Sequence, residues 1–143
     1  MCIRDRINYS LAHSSVETFG DNTLVCMDTK EFRWYKKHDF PVMAFSPQAK
    51  GFFAKLAKGD AANNLPEGQY AGPANLARLA KVKQLSEQTG DTPAKITLGY
   101  LNSQPFFVSS VFAVTKLWQL DEDMEAQDLT YDPKTVAFLE NMI

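Results

Sequence analysis

Three short, mainly apolar segments, separated by helix-type segments, constrain the fold of this chain more than any other feature. They cover residues 7–11, 42–45 and 106–111. Residues 42–45 are too few for a helix and are continuously apolar, which is typical of a strand covered on both faces, and we expect the same of residues 106–111. Because strands that alternate with helices are joined by right-handed crossovers, the pattern predicts an α/β fold with a parallel sheet.

Caps and prolines indicate where the helices begin. Thr92-Pro93 and Asp132-Pro133 each combine an N-cap residue with a proline in the first turn. We expect helices from Asp28 or Thr29 to 37 and over 74–88, 93–103, 115–126 and 133 onward, loops over 12–27 and 46–72, and a helical turn or two within 51–58. The apolar side chains expected to face inward are Leu76, Leu79, Val82 and Leu85 in the second helix and Leu117, Leu120 and Met124 in the fourth.

Size and composition indicate one soluble domain. The 143 residues are 45% hydrophobic, carry a formal net charge of -2 and contain no apolar run long enough to cross a bilayer. This balance indicates neither a nucleic-acid partner nor a membrane partner. Cys2 and Cys26 lack metal or redox spacing, so free thiols are favoured over a disulfide, and we expect a cytoplasmic protein. His13 and His38 have no partner at metal-ligand spacing, so no metal site is predicted.

The first six residues differ from the rest. The stretch MCIRDR is charged and patternless, and it directly precedes INYSL, which already has the character of a strand. We therefore expect residues 1–6 to be a non-native leader and residues 7–143 to be a portion of a longer protein. A full-length gene with a true start immediately before these residues would contradict this hypothesis.

The end of the second predicted strand is a candidate ligand site. In parallel α/β folds, ligands bind where the strands end. Here an aromatic ring is followed by a hydroxyl, an amide and an ammonium group, on Phe45, Ser46, Gln48 and Lys50. The ring could stack on a flat heteroaromatic ligand and the polar groups could hold diphosphate oxygens. The alternative is that Phe45 belongs to the core and that Ser46-Pro47 forms an ordinary turn.

A second candidate site follows the third predicted strand. Thr115 is expected to cap the next helix, whose first turn offers free N–H groups and the positive end of the helix dipole. Lys116 adds a full positive charge, so a 2′-phosphate would suit this place. Any capped helix has the same amides, however, and a purely structural role stays open. The acidic residues Asp121, Glu122 and Asp123 are equally compatible with a solvated helix face.

Four segments in order resemble the C-terminal part of the aldo-keto reductases. They read INYSL, WYKKHDFPVMAFSPQAKGFF, TPAKITLGYLNSQPFFVSSVF and TKLWQLDEDMEAQDLTYDPKTVAFLE. The resemblance implies a partial (β/α)8 barrel in which the three strands correspond to the sixth, seventh and eighth. It also implies an oxidoreductase that reduces a small-molecule carbonyl, an aldehyde or ketone, with NADPH or, less often, NADH.

The same resemblance implies roles for individual residues. Phe45 matches the aromatic residue that stacks on the nicotinamide. Ser46, Pro47, Gln48 and Lys50 match the loop over the pyrophosphate. Val114, Thr115 and Lys116 match the 2′-phosphate site, and Gln119, Glu122 and Asp123 match the residues around the adenine.

The sequence also departs from the family pattern. Gln119 replaces an arginine, Asp123 replaces an asparagine, and Ala113 replaces a glycine or lysine. The glutamine that the family uses at the nicotinamide would fall on Arg6. The loss of the arginine removes one charge and one stacking plane, which weakens the expectation of NADPH over NADH.

No residue of this chain matches the family's catalytic Asp, Tyr, Lys and His, which lie in the first half of the barrel. We therefore expect the chain to carry part of a cofactor site and to be inactive alone. Tyr9 and Tyr100 are not assigned the role of general acid, because neither has an arguable lysine partner. Two alternatives stay open. One is a non-catalytic, nucleotide-sensing relative, and the other is a half-barrel that dimerises through its open sheet.

Overall fold

The structure, a computed structural model, describes residues 6–59 and 70–140 and contains three parallel strands in that part of the chain. The strands are β1 (Arg6–Asn8), β2 (Val42–Phe45) and β3 (Val108–Val111). The helices are α1 (Val16–Phe19), α2 (Thr29–His38), α3 (Phe52–Ala57), α4 (Pro73–Thr89), α5 (Pro93–Asn102), α6 (Leu117–Glu125) and α7 (Pro133–Leu139). The predicted α/β fold is confirmed, while residues 1–5 of the expected leader lie outside the described residues.

The strands end level with one another. The sheet order is β1-β2-β3, and both pairs are parallel. Asn8 lies opposite Phe45, which in turn lies opposite Val111, so the last residues of all three strands are neighbours. The segments that follow β2 and β3 therefore leave the sheet at the same edge.

Three of the predicted N-caps form as expected, namely Asp28, Thr92 and Asp132. Asp28 accepts hydrogen bonds from the backbone N–H groups of Lys30 and Glu31 at 2.7 and 2.8 Å, so Asp28 is the N-cap of α2. Asp132 accepts one from Thr135 at the start of α7, at 2.7 Å. These carboxylates satisfy N–H groups that have no partner within the helix.

The core is continuous and rich in aromatic side chains. Phe52, Phe53, Leu11, Ile96 and Leu101 are all at most 1% exposed, and the two phenylalanine rings meet edge to face at 5.0 Å. Six of the ten residues of α5, from Ile96 to Leu101, are buried, in agreement with the prediction of a well-buried helix. Cys26 is a buried free thiol.

Two expectations about α4 and the region before it were wrong. Leu76 is 43% exposed, and the buried residue in its turn is Asn75. The Asn75 side chain accepts a hydrogen bond from His13 N at 2.7 Å and donates to the carbonyls of His13 and Tyr70 at 2.8 and 2.9 Å. Its burial is therefore compensated by hydrogen bonds. Residues 12–27, predicted as a loop, contain the short helix α1.

Expectations for β3 and α6 also need correction. Phe107, directly before β3, is 70% exposed and Val111, at the end of β3, is 44% exposed, so the segment 106–111 is not covered on both faces. Its position contributes to this exposure, since β3 lies at one edge of the sheet formed by the described residues and pairs there with β2. The residues of α6 that were predicted to face inward are exposed, namely Leu117 (81%), Leu120 (38%) and Met124 (50%).

Candidate functional site

A large cleft opens at the edge of the sheet where the strands end. Its volume is about 1150 Å³. The segment after β2 and helix α3 line one part, and the segment after β3 and α6 line another, while residues from the end of α4 and the start of α5 complete it. This is the position at which ligands bind in parallel α/β folds.

The loop at residues 46–51 has an unusual backbone. Ser46, Ala49 and Lys50 have positive φ angles of 52°, 50° and 56°, and Gly51 follows at 79°. The left-handed conformation costs a non-glycine residue roughly 1–2 kcal/mol. Two internal hydrogen bonds close the loop, from Ala49 N to the Ser46 carbonyl and from Gly51 N to the Gln48 carbonyl, each at 2.9 Å. Strain of this kind concentrates at ligand clamps and active sites.

A hydrogen bond connects this loop to α6. The Gln48 side chain donates from Nε2 to Oδ1 of Asp123 at 2.6 Å. Asp123 is 4% exposed, and burial raises the pKa of its carboxyl. The bond from Gln48 opposes this rise in pKa, and the neighbouring charge of Glu122 adds to it. Both partners of the bond line the cleft.

The start of α6 differs from the sequence prediction. The helix begins at Leu117, and Thr115 is not its cap. Instead Gln119 reaches back, and its Oε1 accepts hydrogen bonds from the backbone N–H groups of Thr115 at 3.0 Å and Lys116 at 3.1 Å. The amides that were expected to be free for an anion are therefore already bonded to a side chain. A 2′-phosphate could use them only after Gln119 has moved.

The described lining of the cleft carries a small excess of positive charge. Four lysines line it, namely Lys50, Lys55, Lys58 and Lys83, against three acids, namely Glu87, Glu122 and Asp123. The ammonium group of Lys58 lies 5.2 Å from the centroid of the Trp118 ring, within the range of a cation–π interaction. The lysines and the hydroxyl and amide groups of the 46–51 loop make the cleft suited to an anionic ligand.

Most of the predicted site residues meet in this cleft. Nine of the eleven line it, namely Ser46, Pro47, Gln48, Lys50, Val114, Thr115, Gln119, Glu122 and Asp123. Phe45 is half-buried at the last position of β2 and is not among the lining residues, although its partner Val111 is. Lys116 is exposed beside the cleft.

Sequence reasoning missed Lys55, Lys58, Lys83 and Trp118 as members of this site. Lys55 and Lys58 are three residues apart, a spacing that places two side chains on the same face of a helix. That spacing, directly after the loop, was a usable signal. Lys83 had none, because its place in the cleft depends on how α4 packs.

Tyr9 and Tyr100 lie in the core and not in the cleft. Both are about 5% exposed, and the Tyr100 hydroxyl donates to Glu140 at 2.6 Å. Burial raises the pKa of each phenol above its usual range. A phenol with a raised pKa is a weaker acid, and neither tyrosine is among the residues that line the cleft. Within residues 6–59 and 70–140, no three His, Cys, Asp or Glu side chains cluster as a metal site would require, and no helix is long and apolar enough to span a bilayer.

Comparison with known families identifies the chain. The family model described as the Aldo/keto reductase family matches residues 25–143, which is most of the sequence. The chain belongs to the aldo/keto reductase family. Its three parallel strands and surrounding helices form part of the barrel of this family, and the sheet is open in the described residues.

Solved aldo-keto reductases share this fold. The thermostable enzyme Tm1743, in complex with the inhibitor epalrestat, is 13% identical, with a TM-score of 0.61 over 97% of this chain. Two structures from Klebsiella pneumoniae, one with NADP and acetate and one with NADPH, are 18% and 17% identical, each with a TM-score of 0.60, over 96% and 99% of this chain. The chain covers 39%, 38% and 39% of these three structures, respectively.

Proposed function

We propose that this chain supplies part of the nicotinamide-dinucleotide site of an oxidoreductase that reduces aldehydes or ketones to alcohols. The observation that carries the proposal is the lysine-lined cleft at the strand ends, with the strained 46–51 loop on one side and α6 on the other. The two relatives from Klebsiella pneumoniae contain NADP and NADPH. In this view, residues 7–143 are the C-terminal portion of the barrel of a cytoplasmic enzyme.

The residues of the cleft fit a dinucleotide. Lys50 and the Ser46 hydroxyl would bind diphosphate oxygens, and α6 would contact the adenosine part. Phe45, at the end of β2, would stack on the nicotinamide after a small change at the strand tip. The bound cofactor would supply hydride to a carbonyl carbon, and the residues of this chain would bind and orient it.

NADPH is the proposed cofactor, with NADH as the alternative. Lys116 supports NADPH because it places a positive charge next to Thr115, where the resemblance puts the 2′-phosphate. The bonds from Gln119 Oε1 to the Thr115 and Lys116 amides work against it. A preference for NADPH would therefore require Gln119 to release these amides.

A specific observation favours a second candidate function. In the described part of the chain, neither tyrosine nor histidine lines the cleft, so the tyrosine general acid that the family resemblance implies does not lie there. A nucleotide-sensing protein would need the cleft without such a group. A Tyr-Lys pair elsewhere in the barrel of the intact protein would favour the enzyme.

The test is a titration of the 143-residue chain with NADPH and with NADH, followed by nicotinamide fluorescence. We expect NADPH to bind more tightly, and we expect no reduction of an aldehyde by the chain alone. Lys50→Met should weaken NADPH about tenfold, which corresponds to about 1.4 kcal/mol.

Lys134→Met is the matched control, because Lys134 is exposed on α7 outside the cleft. It should leave NADPH affinity unchanged. Equal affinities for the two cofactors would overturn the assignment of the 2′-phosphate to Thr115 and Lys116. Absence of binding by either cofactor would overturn the proposed function.

A further inference from the structure

The hydrogen bond between Gln48 and Asp123 joins the two sides of the cleft. We propose that Gln48 is a positioning residue, which holds the 46–51 loop in its binding conformation by tying it to Asp123 on α6. The inference rests on the proposed function, since it concerns how the same cleft is kept ready for a dinucleotide.

The loop needs such a restraint because its backbone is strained. Three non-glycine residues in five, Ser46, Ala49 and Lys50, occupy the left-handed region. Residues of this kind relax to negative φ unless the surrounding structure fixes them. Relaxation at these positions would displace Ser46 and Lys50, which line the cleft, relative to a ligand bound there.

The contacts within the loop are short-range. The bonds from Ala49 N to Ser46 O and from Gly51 N to Gln48 O each span three residues, and Lys55 Nζ donates to the Lys50 carbonyl at 3.0 Å. Such bonds shape the loop, and burial of Pro47 and Ala49 holds it against the core. None of these contacts joins the loop to α6. The bond from Gln48 to Asp123 spans 75 residues and does join them.

Asp123 lies on a helix whose position is well fixed, so its bond to Gln48 can restrain the loop. Asp123 is buried, and α6 is attached to α5 just beyond it. The Asn102 side chain donates to the carbonyls of Ala126 and Leu129 at 2.9 and 3.1 Å, and Lys95 pairs with Glu125. The loop is therefore tied to a helix whose own position is set by the rest of the chain.

If Gln48 has this role, the loss of affinity caused by releasing the loop should differ between ligands. ADP-ribose contains the diphosphate that would lie against the 46–51 loop, whereas AMP has a single phosphate and would bind mainly beside α6. A change that releases the loop should weaken ADP-ribose far more than AMP. A change that merely damages the fold should weaken both alike.

The experiment measures the Kd of ADP-ribose and of AMP by calorimetry on the 143-residue chain. Gln48→Leu should weaken ADP-ribose about tenfold and AMP less than twofold. Gln84→Leu is the matched control, because Gln84 is exposed on α4 outside the cleft, and it should change neither Kd. Equal losses for the two ligands with Gln48→Leu, or no loss at all, would overturn the inference.

A pair of variants that exchanges the amide and the carboxyl keeps the test decisive if Gln48→Leu fails to fold. Gln48→Glu places a second carboxylate against Asp123 and should weaken ADP-ribose. Adding Asp123→Asn restores a donor and an acceptor with reversed roles, so the double variant should bind ADP-ribose more tightly than Gln48→Glu alone. Failure of this rescue would overturn the inference while leaving the proposed function intact. If the unmodified chain bound neither ligand, the proposed function would fail as well.

Discussion

The two regions that line the cleft present their apolar residues in opposite ways. On α3, Phe52, Phe53 and Leu56 are buried, and the loop before it packs Ala49 into the core. On α6, Leu117 and Met124 are at least half exposed. Both helices carry apolar side chains at helical spacing, so their sequences alone would suggest the same degree of burial.

The difference shows what an amphipathic pattern predicts and what it does not. Spacing of three and four residues indicates which side chains share a helix face. The spacing does not indicate whether another described element of the chain packs against that face. Around α3 this element exists, because α4 and α5 pack against it. Within the described chain, the face of α6 that carries Leu117, Leu120 and Met124 stays exposed.

Truncation of one apolar residue in each helix tests this comparison and should give the largest effect. Phe52→Ala should lower the free energy of unfolding by about 3–5 kcal/mol, because it leaves a cavity in the core. Leu117→Ala should change it by less than about 0.5 kcal/mol, as is usual for an exposed position. Urea denaturation measures both. A comparable loss with Leu117→Ala would show that another surface covers α6 in solution.

A second variant sharpens the account of how α6 is held. A Cβ atom at Gly99 would lie 2.8 Å from a Tyr131 ring carbon and 2.9 Å from Leu129 Cγ, closer than side chains tolerate. Gly99→Ala should therefore destabilise the chain by about 1–3 kcal/mol, measured as the shift of the thermal midpoint. Adding Leu129→Ala removes one of the two clashes and should recover part of the loss. If the losses of stability from Gly99→Ala and Leu129→Ala simply added in the double variant, the close approach of residue 99 to Leu129 would be contradicted.

The smallest expected effect concerns pH and the buried carboxyl of Asp123. Because burial raises its pKa, the folded state binds a proton more readily than the unfolded chain does. The stabilisation of the folded state by protonated Asp123 is complete below about pH 4 and is lost as the pH rises through the raised pKa. Asp123→Asn keeps an acceptor for Gln48 without a buried charge, so it should raise stability slightly at pH 7.

Measurement of unfolding from pH 3 to pH 8 checks this prediction. The advantage of Asp123→Asn should disappear on acidification. Asp132 provides the opposite case, because hydrogen bonds from the Thr135 amide lower the pKa of this helix cap. Its contribution is present above about pH 4 and is lost as the pH falls. If the contributions of Asp123 and Asp132 to the free energy of unfolding changed in the same direction with pH, the environments described for them would be contradicted.

Much of the fold could be predicted because its signals are local. Thr92-Pro93, Asp132-Pro133 and Asp28 fixed the starts of three helices through hydrogen bonds within a few residues. The start of α6 was predicted wrongly because Gln119, a residue inside the helix, bonds to the amides that Thr115 was expected to leave free. A glutamine at the third helical position that bonds to the N-cap amide is half of a capping box. The N-cap residue here is Lys116 and not a serine or threonine, so the sequence signature is incomplete.

Part of the candidate site could be predicted from the order of the strands alone. Parallel strands bring their ends together, so residues directly after two strand ends could be assigned to one cleft without coordinates. Lys83 and Trp118 could not, because their places depend on how helices pack across the chain.

The sequence by itself determined the strand and helix order, and with it the parallel sheet and the edge at which a ligand would bind. These follow from apolar spacing and from caps, which act over a few residues. Only the tertiary structure decided that Gln48 meets Asp123, that four lysines share the cleft and that the apolar face of α6 stays exposed. Each of these depends on contacts between residues far apart in the chain, and no local pattern encodes which surfaces meet.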